Sequence, residues 1–396
     1  MKRAYKLQGV IRNYDWGGTQ FISELLGTKN EKQIPQAEYW MGAHPSAPAL
    51  VSMENEQVAL IDLIQTNSPH FLGEKTKTNF GSLPYLFKVL DVASMLSIQV
   101  HPNVENAIKG FDKEEAAGIS IQSPVRNYKD KNHKPEVMVA LSDFWLLHGF
   151  LAPNLLEARL KEYACFHPLL DHFKGGDYKE LYQFFMELTN EAADRILRPL
   201  MVEAVTSVQN GLIDKSHPHW WANKYYQGKI PDENIDKGIF SIYILNIVFA
   251  SKYQGVFQGA GLLHAYLEGQ NIELMANSDN VLRGGLTPKH VDIGELLHHV
   301  HFVPTYPSVL LGDAINEFEC VYPCPVPDFG LSKIAISTGN AYTILGESLQ
   351  MLLVLEGELQ IDNDRYKRGE VALVLPEIAV ELKANKDCVV FKSYVP

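Results

Sequence analysis

Four side chains, far apart in the chain, have the chemistry of metal ligands: Gln99, His101, Glu136 and His264. The first two lie in Leu96-Ser97-Ile98-Gln99-Val100-His101-Pro102-Asn103, an apolar and β-branched run closed by Pro-Asn, which reads as a strand and a turn. Side chains alternate across a strand, so Gln99 and His101 share one face while Ile98 and Val100 take the other and can enter a core. By itself the pair better fits an edge strand with two polar groups in water, since most polar strand residues face solvent. Glu136 opens a second strand behind Pro135, which disfavours helix at Lys134. His264 follows Gly261 by three residues, and a glycine there permits the tight backbone that brings a strand edge close to a ligand. Together they could supply the about three or four N/O ligands of a zinc site that keeps one position open for substrate oxygen.

Cations stand near these residues in sequence: Lys88, His133, Lys134, Arg283 and Lys289. In an acidic chain, Lys134 beside a candidate ligand and Arg283 in a glycine-flanked loop point to an anionic substrate. Lys88 lies inside an apolar strand, where a lysine either snorkels at an end or aims into a site. Glu273, in another predicted strand, also fits a carboxylate facing solvent, and Asp279 fits a simple turn former. His298, His299 and His301 fall at a predicted helix end, where a partly charged imidazole is favourable. Cys320 and Cys324 form a lone pair without the second pair that structural zinc requires.

The elements that must position these groups change character along the chain. Residues 1–150 read as strands and turns with short helical runs, residues 151–250 as helical, and residues from 254 onward as β again. Strands are predicted at 38–42, 83–90, 136–141, 262–267 and 272–276, with a run of strands in 320–396. A helix from about residue 232 carries the apolar run 239–248, and another spans 292–300. With 396 residues, two or three domains are expected. A hydrophobic fraction of 46% allows a sizeable core, and a net charge of −12 argues against nucleic acid as partner. The absence of an apolar run of about 18 residues predicts no membrane helix, and the start lacks the apolar stretch of a signal peptide. Four cysteines in so long a chain predict a reducing, cytoplasmic compartment.

A strand with two ligands, a carboxylate after it, and a distant Gly-x-x-His resemble the two cupin motifs, with Gln99 in the first histidine's place. More specifically, the chain resembles the type I, zinc-dependent mannose-6-phosphate isomerases. The resemblance is carried by Asn13-Tyr14-Asp15-Trp16-Gly17, Tyr39-Trp40-Met41-Gly42-Ala43-His44-Pro45, Leu83-Pro84-Tyr85-Leu86-Phe87-Lys88-Val89-Leu90, residues 96–103, residues 127–136, His264-Ala265-Tyr266-Leu267 and residues 275–289. Asp15 and an extra glycine at 285 depart from the pattern without touching a ligand.

The resemblance implies a mainly β fold: two cupin-like β-barrel (jelly-roll) modules plus an α-helical insertion. The expected division is residues 1–150 with 251–319 as the metal-binding module, 151–250 as the helical domain, and 320–396 as a second cupin-like module. That last segment has no histidine, so it should hold no metal. The resemblance also implies one Zn2+ per chain on Gln99, His101, Glu136 and His264, and Arg283 as an essential residue. Lys88, Ser97, Tyr266, Asp279 and Lys289 are expected to meet the substrate. The implied reaction interconverts mannose 6-phosphate and fructose 6-phosphate through a cis-enediol, and serves carbohydrate metabolism and GDP-mannose biosynthesis. Glu273 and Lys134 are the candidates for the general base, with His133 assisting ring opening; the sequence does not choose among them. The expected partner is a small phosphosugar, with neither nucleic acid nor membrane, and the expected state is a monomer or weak homo-oligomer. Two other classes remain open: a non-catalytic cupin that binds a sugar phosphate, and an iron cupin oxygenase, which one amide, two imidazoles and one carboxylate suit less well.

Overall fold

The computed structural model describes residues 2–54 and 56–396. Its architecture is mainly β: two antiparallel sheets, of ten and eleven strands, with a helical segment packed against the first.

The ten-stranded sheet is built around His264–Ala276, a continuous strand of 13 residues that the sequence had suggested as two separate pieces. It pairs with Tyr85–Val92 and Glu136–Ala140 along its second half, and with Gln99–Val100 and Phe144–Phe150 along its first. A register shift falls between Tyr266 and Glu268, and Gly269 has φ +126°. A Cβ at Gly269 would lie 2.6 Å from the Asp143 carbonyl oxygen, so only glycine lets the neighbouring strand approach.

An extra residue in a strand reverses the facing of everything beyond it. Before the bulge, His264 and Tyr266 face a cleft while Ala265 and Leu267 enter the core beside the helices; after it, Glu273 and Met275 face the cleft while Ile272, Leu274 and Ala276 enter another core. The bulge therefore brings both halves of one strand into one site.

The eleven-stranded sheet is centred on Gln350–Ile361 and Val380–Tyr394. Ala4–Gln8, Leu50–Ser52 and Gln57–Ala59 also belong to it, with Ala4 opposite Val374. These strands, from within residues 1–150, thus pair in a different sheet from the one that carries Glu136 and His264. A predicted strand exposes open backbone donors and acceptors at its edge, and any complementary edge can satisfy them. Between the sheets lies one shared core, in which Phe87, Val89, Ile272 and Leu274 meet Met351, Leu353, Leu373 and Phe391.

The helical segment runs from Pro153–Glu162 to Gly238–Ile244. Asp177 and Thr189 cap the helices that follow them, accepting bonds from the Glu180 and Ala192 amides. The predicted helix through residue 248 ends at Ile244, and Leu245–Ala250 is an edge strand paired with Phe144–Phe150. Its β-branched and aromatic residues suit a sheet, and an apolar run alone does not distinguish the two states. Among the described residues, no helix is long and apolar enough to cross a membrane.

Candidate active site

A cleft of about 780 Å³ is lined by residues of the ten-stranded sheet. Strand alternation populates it: Leu86, Lys88 and Leu90 from one strand, and Glu38 and Trp40 from the next, point in. The intervening Phe87, Val89, Tyr39 and Met41 pack in the core.

At its floor, one ligand atom each from His101, Glu136 and His264 lies within 4.8 Å of the others, and all three residues are buried. His101 Nε2 is 3.5 Å from Glu136 Oε1, and His264 Nε2 is 3.5 Å from Glu136 Oε2. Each imidazole donates from Nδ1 to a main-chain carbonyl, His101 to Asn280 at 2.8 Å and His264 to Leu262 at 2.9 Å. That tautomer leaves the Nε2 lone pairs aimed at the common centre. His101 Nε2 is buried without a hydrogen-bond partner, an orphan that a cation would satisfy. Gln99 lies directly across from His264 in the pairing of their strands and borders the same cleft. Burial, followed by the Lys134 ammonium, pushes the His101 imidazole down to about 4, which keeps it neutral and able to ligate. Burial alone would raise the Glu136 carboxyl, but Lys134 and His101 outweigh it and hold it ionised.

Two local features put these ligands there. Gly261 has φ +80°, and a Cβ on it would lie 2.5 Å from the His301 ring, so the turn before His264 requires glycine. After Pro102, Asn103 caps the helix Val104–Ala116 by accepting from the Asn106 amide, which ends the short strand Gln99–Val100.

Above the centre lies a chain of alternating charge. Lys134 Nζ is 3.1 Å from Glu136 Oε1, and Lys88 Nζ is 2.9 Å from Glu273 Oε2 and 3.5 Å from Glu38 Oε2. Burial opposes the Lys88 charge, but Glu273 and Glu38 more than restore it. Burial raises the Glu273 carboxyl, with Glu136 and Glu38 adding to the effect against the pull of Lys88. Burial likewise lowers Arg283 and Lys289, and in Lys289 the neighbouring Arg283 contributes. Among the described residues, neither of these two cations forms an ion pair, although both line the cleft of a protein with net charge −12.

Gln99, Glu136, His264, Lys134, Glu273, Arg283, Lys88, Lys289, Ser97, Tyr266 and Asp279 all border the cleft, with His101 beneath them. His133 does not. Its Nε2 lies 3.0 Å from Asp328, outside the cleft lining, so its suggested part in ring opening is withdrawn. Successive residues leave an extended backbone in opposite directions, and Lys134 takes the inward one.

Sequence inspection missed Glu38, which accepts from the Trp40 indole and faces Lys88. A carboxylate alternating with Trp40 in an aromatic strand was the available sign. His44, given no role, has Nε2 3.3 Å from Asp279 Oδ2, and the bond from His44 lowers the Asp279 carboxyl. Tyr225 reaches the cleft from the helical segment, with no local signal to announce it.

Fold and site define a mainly β protein with a buried His–Glu–His cluster at a cleft lined by Lys88, Lys134, Arg283 and Lys289. The model of the phosphomannose isomerase type I catalytic domain matches residues 4–152. The mannose-6-phosphate isomerase of Salmonella typhimurium is 39% identical over 378 residues, covering 93% of this chain and 94% of its own. That of Escherichia coli is 36% identical over 392 residues, covering 98% and 97%, and that of Rattus norvegicus 31% identical over 418 residues, covering 98% and 93%. The crystal structure of the Salmonella typhimurium enzyme bound to its substrate fructose 6-phosphate and zinc superposes with a TM-score of 0.88 at 35% identity, covering 100% of both chains. The chain belongs to the mannose-6-phosphate isomerase family.

Proposed function

We propose that this protein interconverts mannose 6-phosphate and fructose 6-phosphate by proton transfer through a cis-enediol, with zinc held by Gln99, His101, Glu136 and His264. The observation that carries the reading is the convergence of two buried imidazole Nε2 atoms on one buried carboxylate, directly beneath a cleft that holds two unpaired cations. The donor set of two imidazoles, a carboxylate and an amide oxygen fits zinc, and the orphaned His101 Nε2 supports a cation there. When bound, zinc supplies a Lewis acid without redox chemistry, stabilising negative charge that develops on the sugar's carbonyl oxygen.

The residues of the chain divide the remaining work. Arg283 and Lys289, which both line the cleft and of which the first helps to depress the second, take the phosphate dianion, which satisfies both. The Glu273 carboxyl sits above its ordinary range in a water-poor wall. It lines the cleft beside Lys88, where as general base it would take a proton from one carbon and return it to the next. Lys88 holds Glu273 by its 2.9 Å contact, and Lys134 holds Glu136 by one of 3.1 Å. Ser97, Tyr266 and Asp279 complete the sugar's surroundings.

This reading includes a division into a cupin-like metal-binding module, a helical segment and a C-terminal cupin-like module without metal. The chain topology supports it, since the second sheet contributes none of the four ligands. A coupled assay for fructose 6-phosphate with the purified protein tests the reaction. Activity should vanish after chelation with verified metal loss and return with zinc, whereas full turnover by metal-free protein would refute the scheme.

A further inference from the structure

The loop carrying Arg283 and Lys289 is held from both sides. On one side, the Gly284 amide donates to Ile98 and the Ile98 amide to Gly285, tying the loop to the backbone just before Gln99. On the other, the Asp236 carboxylate of the helical segment collects its amides. Oδ1 accepts from Leu286 at 2.8 Å and from Gly238 at 2.7 Å, and Oδ2 accepts from Thr287 at 2.9 Å. The Tyr225 hydroxyl, which lines the cleft, lies 3.4 Å from Oδ2, and the Tyr226 hydroxyl accepts from the Asp236 amide at 2.7 Å.

The contact admits no slack. A Cβ on Gly285 would lie 2.5 Å from Gly238 Cα, and one on Gly238 would lie 2.4 Å from the Leu286 amide nitrogen. This accounts for the glycine at 285 that stood out in the sequence. Gly285 has φ +114° and Leu286 φ +53°, the latter a conformation that leucine rarely adopts. Successive amides turned toward one anion form a nest, and here the anion is built into the protein. Without it, two loop amides lose their acceptor and nothing offsets the strain at Leu286.

We propose that Asp236 is a positioning residue for substrate binding: through its carboxylate, the helical segment sets where Arg283 and Lys289 stand and hence the affinity for the phosphate end of the sugar. This rests on the reading that those two cations meet phosphate. Asp236→Asn keeps the shape but only one acceptor oxygen. It should raise KM for mannose 6-phosphate and the inhibition constant of inorganic phosphate by about tenfold each, the loss of roughly one charged hydrogen bond. It should leave kcat within about threefold and zinc stoichiometry full. Tyr226→Phe, which frees the Asp236 backbone, should move both constants the same way by less, and it carries the test if Asp236→Asn folds poorly.

Lys289→Ala separates the two ideas. If it moves neither constant, the phosphate reading fails. If it raises both while Asp236→Asn and Tyr226→Phe raise neither, the positioning role fails and the phosphate reading stands. The double variant Asp236→Asn/Lys289→Ala should fall short of the product of the single effects, and a full product would overturn the coupling. A fall in kcat at unchanged KM, or loss of zinc, in Asp236→Asn would also overturn the proposal.

Discussion

Replacing Lys88 by methionine isolates the buried charge chain from the metal centre. The ammonium sits between two carboxylates, 2.9 Å from Glu273 and 3.5 Å from Glu38, and the three side chains are only 7%, 5% and 11% exposed. At an effective dielectric of about 20, each contact is worth roughly 5 kcal/mol before desolvation is subtracted. Methionine fills the volume, so the chief change is two buried carboxylates left facing one another. Stripping one partner from such a group costs about 3–5 kcal/mol. The loss should depend on pH with a definite sign. Glu273 is already above the ordinary carboxyl range, and without Lys88 it rises further. A carboxyl raised in the folded state destabilises the fold once pH exceeds its unfolded value, and fully so above the folded value. The deficit of Lys88→Met against wild type should therefore be about 3–5 kcal/mol at about pH 8 and shrink toward about pH 5 as the carboxylates take up protons. Urea unfolding of zinc-saturated protein reads it directly. The double variant Lys88→Met/Glu273→Gln should recover at least about half of the loss, because it removes one stranded charge. A deficit below about 1 kcal/mol at the higher pH, or one independent of pH, would refute the electrostatic account.

His264→Ala removes one of the two imidazoles and should abolish stoichiometric zinc; full metal content would contradict the ligand assignment. Arg283→Ala should lower kcat/KM by at least about a hundredfold, roughly 2.7 kcal/mol, with zinc retained; an unchanged kcat/KM would reject its role. His133→Asn should keep turnover within about threefold while lowering thermal stability, because it strands the buried Asp328 carboxylate. A loss of turnover in a well-folded His133→Asn would return His133 to the site.

Much of the site was legible in the sequence because it is written in local covalent terms. A polar pair at period two, a carboxylate after Pro135 and a histidine after Gly261 each state which way a side chain faces within its own strand. The lysine in the apolar strand and the glycines around Arg283 were local signs as well. What local order cannot express is phase carried across an irregularity. Tyr266 and Glu273 are seven residues apart and should face opposite ways, yet the bulge and Gly269 turn both into the cleft.

Partner choice is the other gap. Nothing near Ala4–Gln8 announces that its edge will be met by Val371–Val374 rather than by strands of the nearer module, and nothing near Asp236 names the Leu286 and Thr287 amides. His133 and Lys134 are adjacent cations of similar promise, and only packing sent one to Asp328 and the other to Glu136. The sequence alone thus determined the chemical identity of the centre, since ligand atoms and their local facing belong to each residue. The tertiary structure decided which of the nearby charges serve it, because pairing across hundreds of residues depends on which edges and amides remain unsatisfied when the sheets close.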